Sequence, residues 1–95
     1  MIVQYVKFES ALTETEVVAT AKERLPQFQA LPGLLQKYYV KLNEPDRYGG
    51  IYIWDSRESM LAYKESDLAA TIPSAYKIKG TPKICVLQAL FQLRD

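Results

Sequence analysis

Two aromatic residues, Trp54 and Tyr63, lie where they could line a binding site for a flat molecule. Trp54 is the only tryptophan and directly precedes Asp55-Ser56, a pair typical of a helix N-terminus. Its ring is expected where a helix and a sheet begin to diverge, which is a natural mouth for a cavity. Tyr63 follows about two turns into that helix, on the side shared with Met60. The alternative is that both rings only fill the core, since aromatic residues more often serve packing.

Proton transfer at such a site would need a base, and the chain contains no histidine for that role. The remaining candidates are tyrosines, lysines that burial could desolvate, and one carboxylate. They are Tyr63, Tyr39, Tyr5, Lys7, Lys64 and Asp55. The sequence alone does not distinguish among them.

Composition argues against several classes of function. The 12 Lys and Arg residues balance 11 Asp and Glu residues, without the clustered basic stripe of a nucleic-acid-binding protein. Metal sites lack histidine, their commonest ligand, and no glycine-rich turn suited to phosphate leads into a helix, so we expect no cofactor. The single Cys85 lies in an apolar run and is predicted to be a buried thiol. With no leader and no membrane span, we expect a soluble cytoplasmic protein.

Hydrophobic patterning predicts one domain spanning residues 1–95, with strands at 2–8, 34–43, 48–54 and 83–93. Thr13-Glu14-Thr15-Glu16 has the form of a capping box and begins the first helix, which Pro26 should kink or stop near Leu25. The apolar stripe predicted for this helix comprises Val17, Val18, Ala21, Leu25 and Phe28.

The second helix is predicted to begin at Asp55 or Ser56, with Asp55 and Glu58 forming another capping-box pattern. Its expected buried residues are Met60, Leu61 and Tyr63. A further turn should begin near Asp67 and end at Pro73, before a loop over residues 74–82.

The third strand is apolar on both faces, with Ile51 and Ile53 on one side and Tyr52 and Trp54 on the other. Gly49-Gly50 opens this strand and predicts a bend or bulge there. The element order predicts an α+β, ferredoxin-like βαββαβ domain with a four-stranded antiparallel sheet and helices on one face. Because the helices can shield only one face of the sheet from solvent, we expect a homodimer in which two sheets form an α/β barrel.

Several segments together resemble a known family. They are Leu31-Pro32-Gly33-Leu34-Leu35, the run from Tyr48 to Trp54, Asp55-Ser56-Arg57-Glu58 and Ala62-Tyr63. Over residues 28–93 the chain resembles the stand-alone antibiotic biosynthesis monooxygenase (ABM) family and, within it, the YdhR-like proteins. The resemblance implies a pocket between sheet and helices that binds a small aromatic, phenolic or quinone-like compound. It also implies oxidation by molecular oxygen without flavin, haem or metal.

The resemblance assigns the catalytic positions to Trp54 and Tyr63. The residues expected to contact substrate are Tyr39, Tyr5, Asn43, Met60 and Tyr76. The absence of histidine argues against the haem-degrading branch of the superfamily. Two other functions remain open, since one fold hosts many activities: a non-catalytic or regulatory ligand-binding dimer, and an isomerase or cyclase.

Overall fold

The computed structural model describes residues 1–94. Along the chain the elements are β1 (Ile2–Ser10), α1 (Glu14–Glu23), α2 (Leu25–Gln29), β2 (Leu34–Lys41), β3 (Arg47–Trp54), α3 (Arg57–Lys64), α4 (Asp67–Ala70), α5 (Ile72–Ala75) and β4 (Ile78–Gln88). The strands form one antiparallel sheet in the order β2-β3-β1-β4. This topology confirms the predicted ferredoxin-like fold.

The sheet has a face covered by helices and a face open in the single chain. Ile2, Tyr52 and Trp54 point to the covered face and are buried. Val3 pairs with Ile53 across β1 and β3 on the open face, where both are half-buried. The covered face is therefore the one on which helices and strands can enclose a site.

Local signals set the helix boundaries. The Thr13 side chain accepts a hydrogen bond from the Glu16 amide, and the Glu16 carboxylate accepts one from the Thr13 amide, which completes the predicted capping box. α1 ends at Glu23, and Pro26 lies in the first turn of α2, where a missing amide hydrogen costs no helical bond. Ser56 rather than Asp55 caps α3, because its hydroxyl accepts from the Ser59 amide.

The last strand differs from its predicted range of 83–93. β4 begins at Ile78, which pairs with Ser10, and ends at Gln88, which pairs with Ile2. Its length is thus set by β1, and within residues 89–94 the backbone pairing ends with a hydrogen bond from the Ala89 amide to the Met1 carbonyl oxygen. The segment 74–82, predicted as a loop, contains the end of α5 and the first residues of β4. Pro73 lies in the first turn of α5 and begins this helix, whereas it was predicted to end the preceding one.

Three residues predicted to be buried are exposed in this chain: Val18, Leu61 and Cys85. Val18 and Leu61 each follow a buried residue, and one step along an α-helix turns the side chain about 100° towards solvent. Cys85 lies on the open face of β4, beside Tyr5, where the described chain supplies no covering layer. Within residues 1–94, none of the helices is long and apolar enough to cross a membrane.

Candidate active site

A cavity of about 580 Å³ lies between the covered face of the sheet and the helices. Its sheet side includes Val6, Tyr39 and Tyr52, and its helix side includes Ala21 and Tyr63. The lining is mainly apolar and aromatic, which is typical of sites for small organic ligands. The volume suits a ligand of one to a few rings.

Three aromatic rings from β3 and α3 form a contiguous wall. The rings of Tyr52 and Trp54 are nearly parallel, with centroids 6.1 Å apart, and the Tyr63 ring lies 5.4 Å from that of Trp54. The hydroxyl oxygens of Tyr52 and Tyr63 are 3.4 Å apart. Trp54 is fully buried, and its indole N–H donates to Oε1 of Gln4 over 2.9 Å. Since Gln4 also lines the cavity, Trp54 fixes the orientation of its amide.

Lys37 brings an amine into this aromatic environment. Its Nζ lies 3.7 Å from the centroid of the Phe28 ring, 4.4 Å from that of Tyr39 and 4.5 Å from that of Tyr52. Ring faces attract an ammonium ion, whereas burial opposes the charge. Burial, assisted by the positive charge of Arg24, lowers the pKa of Lys37 to about 7. The amine can therefore accept or release a proton near neutral pH.

Gly50 forms part of the cavity floor below this amine. A methyl group added there would lie 3.1 Å from the Tyr52 ring and 3.3 Å from the side chain of Lys37. The predicted bulge at Gly49-Gly50 is wrong, because both residues pair in regular register with β1. The glycines instead leave room for their neighbours, and at Gly49 a methyl group would collide with the carbonyl oxygen of Val6.

The guanidinium of Arg24, at the junction of α1 and α2, is hydrogen-bonded to α4 and to the residue between α4 and α5. It donates to the Leu68 carbonyl oxygen and, over 2.7 Å, to the Thr71 hydroxyl. Its Nε is buried without a hydrogen-bond partner among the described residues. This positive charge disfavours a second cation nearby and favours an anionic or neutral ligand.

The tyrosines of the cavity act as neutral groups. Burial raises the pKa of Tyr39, Tyr52 and Tyr63, and it raises the pKa of Tyr76 to about 12. Each hydroxyl therefore stays protonated near neutral pH and is available as a hydrogen-bond donor. Lys37 is consequently better suited than these tyrosines to accept a proton.

Exposed residues of β2 and α1 belong to the cavity lining. Nζ of Lys41 lies 2.6 Å from Oε1 of Glu14, and both side chains are exposed. Tyr39, which also lines the cavity, is 42% exposed. This side of the cavity therefore combines a charged surface pair with an accessible aromatic ring.

The structure brings only some of the predicted site residues to the cavity. Tyr39, Tyr63 and Tyr76 line it, and the Ser10 hydroxyl holds Tyr76 in place by donating to its carbonyl oxygen over 2.5 Å. Trp54 lies behind Tyr52 and Tyr63 rather than at a mouth, since no part of its side chain is accessible.

The other predicted substrate contacts lie elsewhere. Met60 is buried in the core next to the aromatic wall, Tyr5 points to the open face, and Asn43 is exposed after the end of β2. Among the predicted bases, Lys64 reaches the cavity while Lys7 lies on the open face. Asp55 is exposed, and hydrogen bonds from Ser59 and Ser56 lower the pKa of its carboxyl group.

Lys37 and Gln4 were missed from the sequence. Gln4 is a polar residue in an otherwise largely apolar strand, and a polar side chain that is buried at such a position must be hydrogen-bonded or functional. In Lys37-Tyr38-Tyr39 the period of two already places Lys37 on the same face as Tyr39. That face could be identified only from the pairing of Lys37 with Tyr52.

No protein-family model and no curated protein sequence matches this chain. Solved structures do match. SnoaB, a cofactor-independent oxygenase from Streptomyces nogalater, is 14% identical with a TM-score of 0.77, covering 99% of this chain and 97% of its own. A candidate antibiotic biosynthesis monooxygenase from Deinococcus radiodurans is 15% identical with a TM-score of 0.75, and the match covers 100% of this chain and 98% of that protein.

A third similar structure is a mutant of MhuD with two manganese protoporphyrin IX molecules bound per active site. It is 16% identical with a TM-score of 0.78 and covers 100% of both chains. The predicted resemblance to the ABM proteins is therefore confirmed in the fold, which this chain shares over its whole length. At these identities the likeness establishes the fold, and activity must be argued from the site.

Proposed function

We propose that this protein is a cofactor-independent monooxygenase acting on a small aromatic, phenolic or quinone-like compound. The observation that carries the proposal is an aromatic cavity that holds the desolvated amine of Lys37. The fold shared with SnoaB supports it, since that protein is a cofactor-independent oxygenase. An electron-rich substrate anion can react with oxygen itself, so the protein need only remove a proton, exclude water and hold the ring.

Lys37 begins the reaction as a neutral amine that takes a proton from an activated benzylic methylene of the substrate, which breaks that C–H bond and leaves an anion delocalised over the ring. The resulting ammonium ion stabilises the substrate anion, and the positive charge of Arg24 reinforces it. Neutral hydroxyls of Tyr52 and Tyr63 can donate hydrogen bonds to the developing oxyanion. The aromatic wall keeps the ring flat and excludes bulk water.

The anion then passes an electron to dioxygen, and recombination at a benzylic carbon gives a hydroperoxide. Loss of water from the hydroperoxide leaves a carbonyl group, with one oxygen atom from dioxygen in the product and the other in water. Conversion of a methylene to a carbonyl releases four electrons, which is the number that dioxygen accepts. The reaction is balanced without an external reductant.

An isomerase would use the same proton transfer by Lys37 but would not consume oxygen. A regulatory binding protein would bind the same ligands without turnover, and binding would be visible as quenching of Trp54 through the neighbouring Tyr52 ring. Measuring turnover with and without oxygen separates the three functions. Many haem proteins bind the haem iron through a histidine, and this chain contains no histidine.

We further expect a second copy of the chain to cover the open face of the sheet. Leu87 and Tyr38 are 56% and 54% exposed there, and Val3, Ile51 and Ile53 are half-buried in the single chain. Apolar surface of this extent is typical of an interface. A homodimer with facing sheets would bury it and stiffen the floor of each cavity.

Oxygen uptake tests the proposed function. Hydroxylated aromatics carrying a benzylic methylene are supplied without cofactor, and ¹⁸O₂ should place one labelled atom in each product molecule. Lys37→Met should lower kcat/KM by about 100-fold or more, the usual contribution of a general base. Lys77→Met, at an exposed turn position outside the cavity lining, is the matched control and should behave as the wild type. Absence of oxygen uptake, or uptake insensitive to Lys37→Met, would reject the proposal.

A further inference from the structure

The amine of Lys37 is held by rings instead of by a carboxylate. Ion pairs within residues 1–94 join Lys41 to Glu14 and Arg47 to Glu9 and Glu44, and Lys37 takes part in none of them. Its nearest charged influence is the like charge of Arg24. A lysine in this setting has no carboxylate to stabilise its charged form, and burial favours the neutral amine with its available lone pair.

Such an amine is a nucleophile as well as a base. Lysines desolvated in hydrophobic pockets, or placed near another cation, attack carbonyl groups to form Schiff bases, and Lys37 meets both conditions. The apolar lining restricts water, which would otherwise hydrolyse the product. Gly50 leaves the Lys37 side chain room to reach the cavity floor.

We infer that Lys37 captures aromatic aldehydes and ketones inside the cavity as reversible imines. Its nitrogen attacks the carbonyl carbon to form a carbinolamine, and loss of one water molecule then gives the carbon–nitrogen double bond. The proton that the nitrogen gives up on forming the carbinolamine passes to its hydroxyl group, which leaves as water, and a neutral tyrosine hydroxyl of the cavity, such as that of Tyr39, can donate a hydrogen bond to this oxygen. No oxidant or reductant takes part, so this chemistry is independent of any reaction with oxygen.

The cavity also defines the class of carbonyl compound. The ring wall of Tyr52 and Tyr63 favours a flat aromatic group, and the charge of Arg24 disfavours a cationic one. A neutral or phenolic aryl aldehyde meets both requirements. Aliphatic aldehydes lack the stacking surface and should react more slowly at this position.

The test uses 4-hydroxybenzaldehyde with sodium cyanoborohydride, which reduces the imine to a stable secondary amine that is located by peptide mapping. At pH 7 we expect Lys37 of the wild-type protein to be labelled at least tenfold faster than any other lysine. Its labelling rate should rise to a plateau with a midpoint near pH 7, because half of the amine is then neutral. The amino terminus reacts too, since such groups have a pKa of about 8, but mapping separates it.

Two variants complete the experiment. Lys37→Arg keeps the positive charge but forms no imine, and its cavity adduct should be lost. Lys77→Met removes an exposed lysine that lies outside the cavity lining and should leave the adduct intact. Labelling confined to exposed lysines and the amino terminus, with Lys37 unmodified, would overturn the inference. So would a Lys37 rate that keeps rising through pH 9 together with the exposed lysines.

Discussion

Replacing Lys37 by methionine should make the protein more stable at neutral pH, although the same change should lower the proposed activity by about 100-fold or more. The folded state holds this amine with a pKa of about 7, against 10.5 when it is solvated. At about 1.4 kcal/mol per unit, the difference corresponds to about 5 kcal/mol of destabilisation at pH 7 and below. Methionine preserves most of the side-chain length, so lost packing should cost about 1 kcal/mol. We expect a net gain of about 2–4 kcal/mol in the free energy of unfolding.

The stability advantage of Lys37→Met should decrease as the pH rises. Below pH 7 both states of the wild type carry the proton, so the full destabilisation is present. Between pH 7 and 10.5 the unfolded state binds the proton and the folded state does not, so wild-type stability rises with pH. The advantage of Lys37→Met should therefore shrink steadily and be close to zero near pH 10.

Urea denaturation at pH 6, 7, 8.5 and 10, at one fixed protein concentration, measures this difference. Lys64→Met is the matched control, because that lysine is exposed in the same cavity. Its effect should be small and flat across the series. A Lys37→Met protein that is less stable than the wild type at pH 7, or whose difference does not change with pH, would refute a desolvated amine.

Further substitutions separate residues that line the cavity from residues that support it. Tyr63→Phe should change stability by about 1 kcal/mol or less, yet weaken ligand binding or turnover at least tenfold, measured by titration and oxygen uptake. Trp54→Phe should lower stability by about 2–4 kcal/mol in urea, because it leaves the Gln4 carbonyl unpaired, with activity per folded molecule nearly unchanged. Gly50→Ala should cost about 1–3 kcal/mol by crowding the cavity floor. Sedimentation should give twice the monomer mass for the wild type and the monomer mass for Leu87→Asp, and a monomeric wild type would contradict the proposed dimer.

Local patterns made much of the fold predictable. The capping box of Thr13 and Glu16 is contained within four residues. The apolar run that ends at Trp54 must be covered on both faces, whichever strands and helices cover it. These features depend on short stretches of chain. The topology follows from their order, since strand, helix and strand repeat twice.

What could not be predicted depends on residues far apart in the sequence. The end of β4 is set by where β1 begins, and the exposure of Cys85 depends on which face the helices cover. Lys37 reads as an ordinary strand lysine until β2 pairs with β3 and places it beside Tyr52 and Phe28. Trp54 was placed correctly at the end of its strand, but full burial makes it a support for the cavity wall.

Both the proposed oxidation and the proposed imine formation depend on a Lys37 amine that loses its proton near neutral pH. Titration of ¹³C-labelled lysine side chains by NMR, with Lys37→Met used to assign the resonance, measures this directly and needs no substrate. We expect one lysine resonance with a midpoint near pH 7 that is absent from the variant. A Lys37 resonance that titrates near the solvated value of about 10.4 would contradict it.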